Sequence, residues 1–287
     1  MPSSSTTAVL LTGCSSGIGR ASALAFHAAG HPVYATARRP DSIADLAASG
    51  ILTFALDVTD EASMQAAVAR VEADHGSVGV LVNNAGYALQ GPVEEATMAE
   101  VRQQFDTNVF GLVRLCQLVL PGMRRAGRGR LVNVGSMGGR FTFPGGGFYH
   151  ASKHAVEAIS DALRYEVTPF GVRVVLVQPG PVQTAFADTA VATIQDPAEE
   201  TGPYAGFRRA LGVRYAKAYD GRRTSLIVPP ERVAATILRA ATRAHPRPRY
   251  AVGTVARAMI TARRLSPDVV FDRLIRSSFP TPEWSRP

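Results

Sequence analysis

Tyr149 and Lys153 are the pair of side chains whose types and spacing point most directly to chemistry. They lie four residues apart at the start of a segment with helical periodicity, so both side chains are expected on one face of a helix. An ammonium group beside a phenol favours the phenolate and lowers the phenol pKa from about 10. The pair therefore predicts a general acid/base for proton exchange with an alcohol. The alternative is a tyrosine that only packs at a helix start.

Ser136 is a second candidate because it directly follows a strand pattern over 130–135. Ligands of parallel sheets bind at the carboxyl ends of the strands. A serine hydrolase that combines Ser136 with His150 or His154 is an alternative, but Ser136 lacks the glycine pattern of a nucleophile elbow. The two histidines have no acidic or thiol neighbour with ligand spacing, so we expect no metal site.

A glycine-rich segment, Thr12-Gly-Cys-Ser-Ser-Gly-Ile-Gly19, lies between a predicted strand over 8–12 and a predicted helix over 17–30. Glycines let the backbone approach a pyrophosphate, and the helix start supplies N–H groups and a positive dipole. This position predicts a dinucleotide site, although the spacing differs from G-x-G-x-x-G and other loops also need glycine. The candidate contacts to the cofactor are Gly13, Ser15, Ser16, Gly17, Ile18 and Gly19.

The residues after the second predicted strand, over 32–37, bear on which dinucleotide binds. Ala37 stands where an acidic residue would bond the ribose 2′-hydroxyl, and Arg38 follows it. A guanidinium can bind a 2′-phosphate through two charge-assisted hydrogen bonds. We therefore expect NADP(H) to be preferred over NAD(H). The alternative is that Arg38 and Arg39 are ordinary exposed arginines.

The elements that must position these residues alternate between apolar strands and helices. Strands that are apolar throughout predict a parallel sheet covered on both faces, and right-handed crossovers make it doubly wound. The predicted fold class is α/β, with a single doubly wound parallel sheet and helices on both faces. Strands are predicted over 8–12, 32–37, 52–57, 78–83, 130–135, 172–177 and 249–252. Helices are predicted over 17–30, 42–48, 61–75, 98–123 with a break near Pro121, 149–167, 230–242 and 253–278.

The chain of 287 residues suits one large domain. We expect a flexible tail over 1–7, a catalytic domain over 8–252 and a basic helical extension over 253–287. Within the domain, the polar stretch at about 183–228 is predicted to be a substrate loop with short helices. No run of apolar residues is long enough to span a membrane, and the start does not resemble a signal peptide. Two isolated cysteines, Cys14 and Cys116, favour a reducing, cytoplasmic setting.

The net charge of +8 is concentrated near the end of the chain, where residues 231–287 hold eleven arginines and four acidic residues. Nucleic acid, anionic lipid or an acidic protein could meet such a segment. We expect no nucleic-acid partner, because no fold signature or interleaved aromatic residues accompany the charge. A solvated basic surface is the main interpretation. A helix at a lipid surface or an oligomer interface is the alternative for 253–278.

Several motifs occur in the order found in one family of enzymes. After the glycine-rich segment come Asn83-Asn-Ala-Gly86, Asn108, Ser136, Tyr149-His-Ala-Ser-Lys153 and Pro179-Gly180. Over about residues 8–184 the chain therefore resembles the short-chain dehydrogenases/reductases, in their single-domain branch near enzymes that act on steroids, retinoids and other apolar carbonyls. The resemblance implies a Rossmann-like fold and hydride transfer between NADP(H) and a carbonyl or alcohol. It also implies a homodimer or homotetramer formed through the helices over 98–123 and 149–167.

The resemblance implies a role for each matching residue. Tyr149 would be the general acid/base, and Lys153 would lower its pKa and bind the nicotinamide ribose. Ser136 would bind the carbonyl oxygen, and Asn108 would hold a water molecule of the proton relay. The further cofactor contacts that it implies are Asp57, Val58, Asn84, Ala85, Gly86, Pro179, Gly180, Val182 and Thr184. The alternative is a catalytically silent sensor or scaffold that binds the dinucleotide without turnover.

The substrate is predicted to be an apolar small molecule. Aromatic and apolar residues near the expected pocket suggest this class without identifying the compound. The residues concerned are Met137, Gly138, Phe141, Phe143, Phe148, Pro181, Phe186 and Tyr204.

Overall fold

A seven-stranded parallel sheet forms the centre of the chain in a computed structural model, which describes residues 7–184, 193–194, 202–219 and 226–282. The strands follow the order β3-β2-β1-β4-β5-β6-β7, and each neighbouring pair is parallel. The predicted doubly wound α/β fold is confirmed. The bounds are β1 Val9–Leu11, β2 Val33–Ala37, β3 Leu52–Ala55, β4 Val80–Asn83, β5 Gly129–Val134, β6 Val172–Pro179 and β7 Arg249–Val252.

Helices cover both faces of this sheet, because alternate residues of the apolar strands bury their side chains on opposite sides. Leu10 of β1 belongs to a core that includes α3, α5 and α6. Its neighbours Val9 and Leu11 belong to a second core with α1, α2 and α8. The helices are α1 Gly17–Ala28, α2 Ala44–Ala48, α3 Glu61–His75, α4 Met98–Phe105, α5 Gly111–Arg125, α6 Gly147–Val167, α7 Ala205–Tyr219, α8 Pro230–Thr242, α9 Thr254–Leu265 and α10 Asp268–Ser278.

The predicted break near Pro121 is wrong, since α5 continues through Pro121 to Arg125. A proline inside a helix removes one hydrogen bond and crowds the preceding turn. Here the helix buries a continuous apolar face that includes Leu115, Val119 and Met123, and this burial outweighs the local cost. Tertiary packing therefore decides where this helix ends.

A π-helical turn, Asp106–Phe110, joins α4 to α5 and contains the candidate residue Asn108. Such turns hold one extra residue and are found frequently at functional sites. The segment over 98–125 is therefore one interrupted helical rod, and the interruption coincides with a candidate site residue.

The second half of the chain contains more regular structure than its composition suggests. Within the predicted substrate loop, α7 spans fifteen residues, so the expectation of short helices is wrong there. The predicted final helix is two helices, α9 and α10, which separate at Ser266 and Pro267. None of the helices in the described ranges is long and apolar enough to cross a membrane. Parts of the predicted tail, loop and extension, at 1–6, 185–192, 195–201, 220–225 and 283–287, lie outside the described residues.

Candidate active site

The glycine-rich segment between β1 and α1 forms a backbone cradle. Gly13 and Gly17 adopt positive φ values of 71° and 53°, which glycine tolerates best. A Cβ atom at Gly19 would collide with the Gly13 carbonyl and lie 2.5 Å from Asn84 Nδ2. Ser16 precedes α1, and its side chain does not cap the helix. The first turn of α1 therefore keeps N–H groups for an anion, and this loop fits a dinucleotide phosphate.

Thr12 and Asn84 hold the cradle in shape. Thr12 Oγ1 accepts hydrogen bonds from the backbone N–H groups of Asn84 and Ala85, both at 3.0 Å. The Asn84 side-chain amide donates to the carbonyls of Thr12 and Gly13 at 2.9 and 3.0 Å. Asn84 thus connects the end of β4 to the loop after β1. Sequence reasoning missed Thr12, whose only signal is a hydroxyl at the end of a buried strand.

The residues after β2 frame one end of this cleft. Ala37 is buried at the end of the strand, and Arg38 follows it as an exposed side chain. Burial raises the pKa of the nearby Tyr87 phenol, as do Glu100 and Asp106, whereas the positive charge of Arg38 lowers it. Arg38 therefore lies close enough to act electrostatically on a residue that follows β4.

Asp57 and Val58 lie beyond β3, and their side chains serve local structure. The Asp57 carboxylate accepts hydrogen bonds from Thr59 N and Thr59 Oγ1 at 2.9 and 2.8 Å. The Asp57 N–H donates to Ser63 Oγ in α3. Val58 is buried. A Cβ atom at Gly111 would collide with the Val58 carbonyl oxygen, so the start of α5 packs directly against Val58. Both residues are held firmly beside the cleft where the resemblance predicts adenine.

The chain after β6 returns towards the glycine-rich cradle. Pro179 ends β6, and the N–H of Gly180 donates to the Val252 carbonyl at 2.9 Å. Val182 forms an isolated parallel bridge with Val228. A Cβ atom at Gly17 would lie 2.6 Å from Thr184 Cγ2. The predicted cofactor contacts after β1 and after β6 therefore lie close together at the start of α1.

Helix α6 presents Tyr149 and Lys153 on one face, as their spacing predicts. Lys153 is buried, and its Nζ donates to the Val134 carbonyl at 2.9 Å. The same nitrogen lies 6.0 Å from the centre of the Tyr149 ring. Burial lowers the pKa of Lys153 to about 8, because the charged amine loses hydration. A negative charge nearby, such as a phenolate, would favour the ammonium form.

Asn108 lies beside this pair. It connects the π turn to α6 and to the segment that follows β4. Its Nδ2 donates to the Tyr87 carbonyl at 2.9 Å and to Ser152 Oγ at 3.1 Å. Ser152 Oγ in turn donates to the Tyr149 carbonyl at 2.7 Å. A Cβ atom at Gly86 would lie 2.9 Å from Asn108 Oδ1 and 3.8 Å from Lys153 Nζ. The bare backbone of Gly86 therefore packs directly against Asn108, and the segment that follows β4 lies beside Lys153.

Ser136 and His150 hold the 3-10 turn Met137–Gly139 that follows β5. Ser136 Oγ accepts from the Gly138 N–H at 3.0 Å, which leaves the hydroxyl hydrogen for another acceptor. His150 Nδ1 lies 2.8 Å from the Gly138 carbonyl, so Nδ1 must carry the hydrogen. Burial lowers the pKa of His150 to about 4, and the imidazole is neutral at pH 7. Sequence reasoning missed this role of His150.

The two histidines considered as a metal pair contact backbone atoms. His154 Nδ1 lies 2.9 Å from the His150 carbonyl, within α6. In the described ranges no three His, Cys, Asp or Glu side chains are grouped as metal ligands.

An apolar wall extends from the 3-10 turn to the end of the chain. Phe143 stacks on Phe279 with ring centres 4.5 Å apart, and the Arg214 guanidinium of α7 lies 3.9 Å above the outer face of Phe279. Phe141 is buried against Phe271 of α10. The predicted pocket residue Phe186 is outside the described residues. Helices α7 and α10 therefore meet beside the carboxyl end of β5.

Tyr204, another predicted pocket residue, lies in a short turn before α7. Its hydroxyl donates to Glu94 at 2.6 Å. Within α7 itself, Tyr215 donates to Gln90 Oε1 at 2.9 Å. These bonds hold α7 against the segment that follows β4.

Comparisons with known proteins give consistent similarities. Residues 7–195 match a sequence profile described as short chain dehydrogenase. A 3-ketodihydrosphingosine reductase of Bacteroides thetaiotaomicron is 37% identical over 252 residues, covering 88% of this chain and 89% of that protein. An uncharacterised oxidoreductase of Escherichia coli K12, YbbO, is 36% identical over 271 residues, covering 93% of each.

Two solved structures show the same similarity. A short-chain dehydrogenase from Streptomyces avermitilis aligns with a TM-score of 0.77 and 36% identity, covering 96% of both chains. A serine dehydrogenase in complex with NADP+ aligns with a TM-score of 0.74 and 28% identity, covering 86% of this chain and 94% of that chain.

Proposed function

Because the chain belongs to the short-chain dehydrogenase/reductase family and is an oxidoreductase acting on CH–OH groups, we propose that it interconverts a carbonyl and an alcohol on an apolar small molecule with NADP(H). The observation that carries this proposal is the arrangement on α6. The buried amine of Lys153 lies 6.0 Å from the centre of the Tyr149 ring, beside Gly86 and Asn108. A phenol next to a buried cation can gain and lose a proton near neutral pH.

Each residue of the site has a distinct task in the reducing direction. NADPH bound in the cleft supplies the hydride. The Ser136 hydroxyl, which retains its hydrogen, donates to the carbonyl oxygen and stabilises the developing negative charge. Tyr149 transfers its phenolic proton to that oxygen. Lys153 would stabilise the tyrosinate that remains, and its ammonium group would help to hold the cofactor.

Asn108 connects this site to the proton supply. Both hydrogens of its Nδ2 are donated and its Oδ1 accepts from the Tyr87 N–H, so the amide cannot rotate freely and Oδ1 keeps one lone pair. A water molecule that donates to this lone pair would complete the relay that returns a proton to Tyr149.

We propose NADP(H) as the preferred cofactor because Arg38 is an exposed cation directly after β2, where a ribose 2′-phosphate would lie. The strand end beside it carries the small, buried side chain of Ala37 and no carboxylate. A carboxylate there would repel a 2′-phosphate, whereas a guanidinium binds it. The similar serine dehydrogenase binds NADP+, which agrees with this proposal.

Replacing Arg38 with aspartate should reverse the cofactor preference. We expect the ratio of kcat/KM for NADPH to that for NADH to fall by about 100-fold, because a charge-assisted contact is lost and a repulsive one is gained. The measurement is steady-state kinetics with both cofactors. Arg39→Asp is the matched control, since it changes the net charge equally at the adjacent exposed residue. An equal fall in the control, or an unchanged ratio in Arg38→Asp, would contradict the assignment.

An apolar substrate is proposed because an apolar cluster lies beside the 3-10 turn that follows Ser136. Met137, Phe143, Met259 and Phe279 pack together there. The relative from Bacteroides thetaiotaomicron is named as a reductase of a keto compound. A ketone on a long apolar chain or an apolar ring system is therefore the substrate class that we propose.

An activity screen separates this proposal from its alternative, a silent protein that binds the dinucleotide as a sensor or scaffold. We expect NADPH oxidation with long-chain and polycyclic ketones, and much slower oxidation with small hydrophilic ketones. The measurement is NADPH absorbance over a panel matched in carbonyl type. Tight NADPH binding without oxidation by any ketone or aldehyde would favour the silent protein.

Assembly, domain division and cellular setting remain predictions. We propose a homodimer or homotetramer through the segment over 98–125 and α6, where Phe110 and Tyr165 expose 59% and 72% of their surfaces. We also propose that residues 8–252 form the catalytic domain, with a basic helical extension after it. The cytoplasmic setting is supported by two cysteines without a disulfide.

A further inference from the structure

A pocket lined by arginines lies at the edge of the sheet, between α8, β7 and the start of α9. Its volume is about 680 Å³. None of the residues assigned to the dinucleotide cleft or to the catalytic group lines it. The pocket is therefore separate from the proposed active site. Its arginines are Arg232, Arg239, Arg243, Arg247, Arg249 and Arg257.

Acidic residues in the described part of the chain compensate little of the positive charge of this pocket. Arg249 is the paired member, with Nε 2.9 Å from Glu157 and a terminal nitrogen 2.5 Å from Asp161. The other five arginines form no ion pair with a described residue, and no described Asp or Glu lines the pocket. Guanidinium groups keep their charge at any physiological pH.

The arginines converge because the secondary structure places them together. Arg232 and Arg239 are seven residues apart and share one face of α8, and Arg243 follows directly after the helix ends at Thr242. Arg239 lies 5.8 Å from the ring centre of Tyr250 on β7. Arg257 Nε donates to the Ala251 carbonyl at 3.4 Å. The floor of the pocket is thus a strand, and its walls are two helices.

This arrangement differs from a solvated basic surface. Like charges that face one recess repel each other, and a recess focuses their field more than a convex surface does. Repulsion of this kind lowers stability unless an anion neutralises it. Forked N–H groups on several guanidiniums match the oxygen geometry of phosphoryl groups.

We propose that this pocket binds a multiply charged phosphoryl compound. The volume falls within the range of small-molecule sites and exceeds the need of a single phosphate ion. The shared chemistry is two or more phosphoryl groups close together, held by Arg239, Arg243 and Arg247. The source is either a soluble organic phosphate or a phosphorylated lipid headgroup, and the experiment distinguishes the two.

The first arm measures soluble phosphate. Tripolyphosphate is titrated calorimetrically into the full chain with saturating NADPH, which blocks the dinucleotide cleft. We expect one site per chain, weakened by salt. The double variant Arg239→Glu with Arg243→Glu should bind at least about tenfold more weakly, because two charge-assisted contacts are lost. The control is Arg264→Glu with Arg276→Glu, two exposed arginines outside the pocket that change the net charge equally.

The second arm measures lipid. Vesicles of phosphatidylcholine with or without phosphatidylinositol 4-phosphate are sedimented with the same proteins. Binding of tripolyphosphate that only the pocket variant loses supports the site with a soluble ligand. Vesicle binding that only the pocket variant loses supports it with a lipid headgroup.

Other results would overturn the proposal. Absence of saturable binding in both arms would do so, and so would an equal loss in the control variant. Should the glutamate pair lower the unfolding temperature, Arg239→Gln with Arg243→Gln provides the same test with a milder change.

Discussion

Tyr149→Phe is expected to lower kcat by about 10³-fold while leaving NADPH affinity within a factor of two or so, since it removes one hydroxyl that acts as a general acid. The ring remains, and with it the packing against His150, whose ring centre lies 5.7 Å away. The site should therefore stay intact around the missing proton donor. Steady-state kinetics with the best ketone, together with NADPH fluorescence titration, gives both quantities.

The control for this variant is Tyr165→Phe, which removes a hydroxyl from the same helix at a side chain that is 72% exposed. Its kcat should match that of the wild type. Activity of Tyr149→Phe close to the wild-type level would mean that another group delivers the proton, and the mechanism proposed for α6 would have to be abandoned.

Lys153→Met is expected to have two effects of opposite sign. Turnover should fall by about 100-fold or more, because the tyrosinate loses its neighbouring cation. Stability at pH 7 should rise by about 3 kcal/mol, because folding no longer buries a charged amine. Burial holds the pKa of Lys153 at about 8, against 10.5 in the unfolded chain.

The pH dependence of stability follows from the same pKa. Below pH 8 both states carry the proton, and the cost of burying the charge is complete. Between pH 8 and 10.5 the unfolded chain binds more protons than the folded one, so the stability of the wild type should rise with pH. Lys153→Met should lack this rise. Urea denaturation at pH 7 and at pH 10 measures the difference.

Lys153→Gln separates the charge from the hydrogen bond. Its amide can still donate towards the Val134 carbonyl, which Lys153 Nζ contacts at 2.9 Å, but it carries no charge. We expect the same loss of turnover as in Lys153→Met and an equal or larger gain in stability. A loss of stability at pH 7 in both Lys153→Met and Lys153→Gln would show that burial of the ammonium group does not lower the stability of the folded protein.

Local sequence signals predicted most of the fold correctly. Helix α3 begins and ends as predicted, because the Asp60 side chain accepts from Ser63 N at one end and Gly76 adopts a left-handed conformation at the other. Both signals lie within the helix ends themselves. The sheet followed from the alternation of buried strands with helices, which is also a local pattern.

Features that depend on distant contacts could not be predicted. The π turn at Asn108 is held by Tyr87 and Ser152, which are distant in sequence. Helix α5 continues through Pro121 because of its buried face. The hydrogen bond from His150 to the turn after β5 joins residues that no periodicity relates.

The candidate site was predicted by a mixture of both kinds of signal. Helical spacing alone brought Tyr149 and Lys153 together, and the position of Ser136 followed from the end of a strand. The bond from Lys153 to the Val134 carbonyl needed the three-dimensional structure, because it joins α6 to β5. The arginine pocket was visible only as an excess of charge near the end of the chain.

The π-helical turn Asp106–Phe110 constrains how the length of this protein can change during evolution. Each residue of an α-helix advances the rotation by about 100°. Deletion of one residue from the turn would restore a regular helix and would rotate α4 by about that angle relative to α5. Gln104, which bonds to the backbone of Tyr87 and Leu89, would then leave the interior. A one-residue deletion here changes the rotational phase of a whole helix, whereas surface loops absorb such changes.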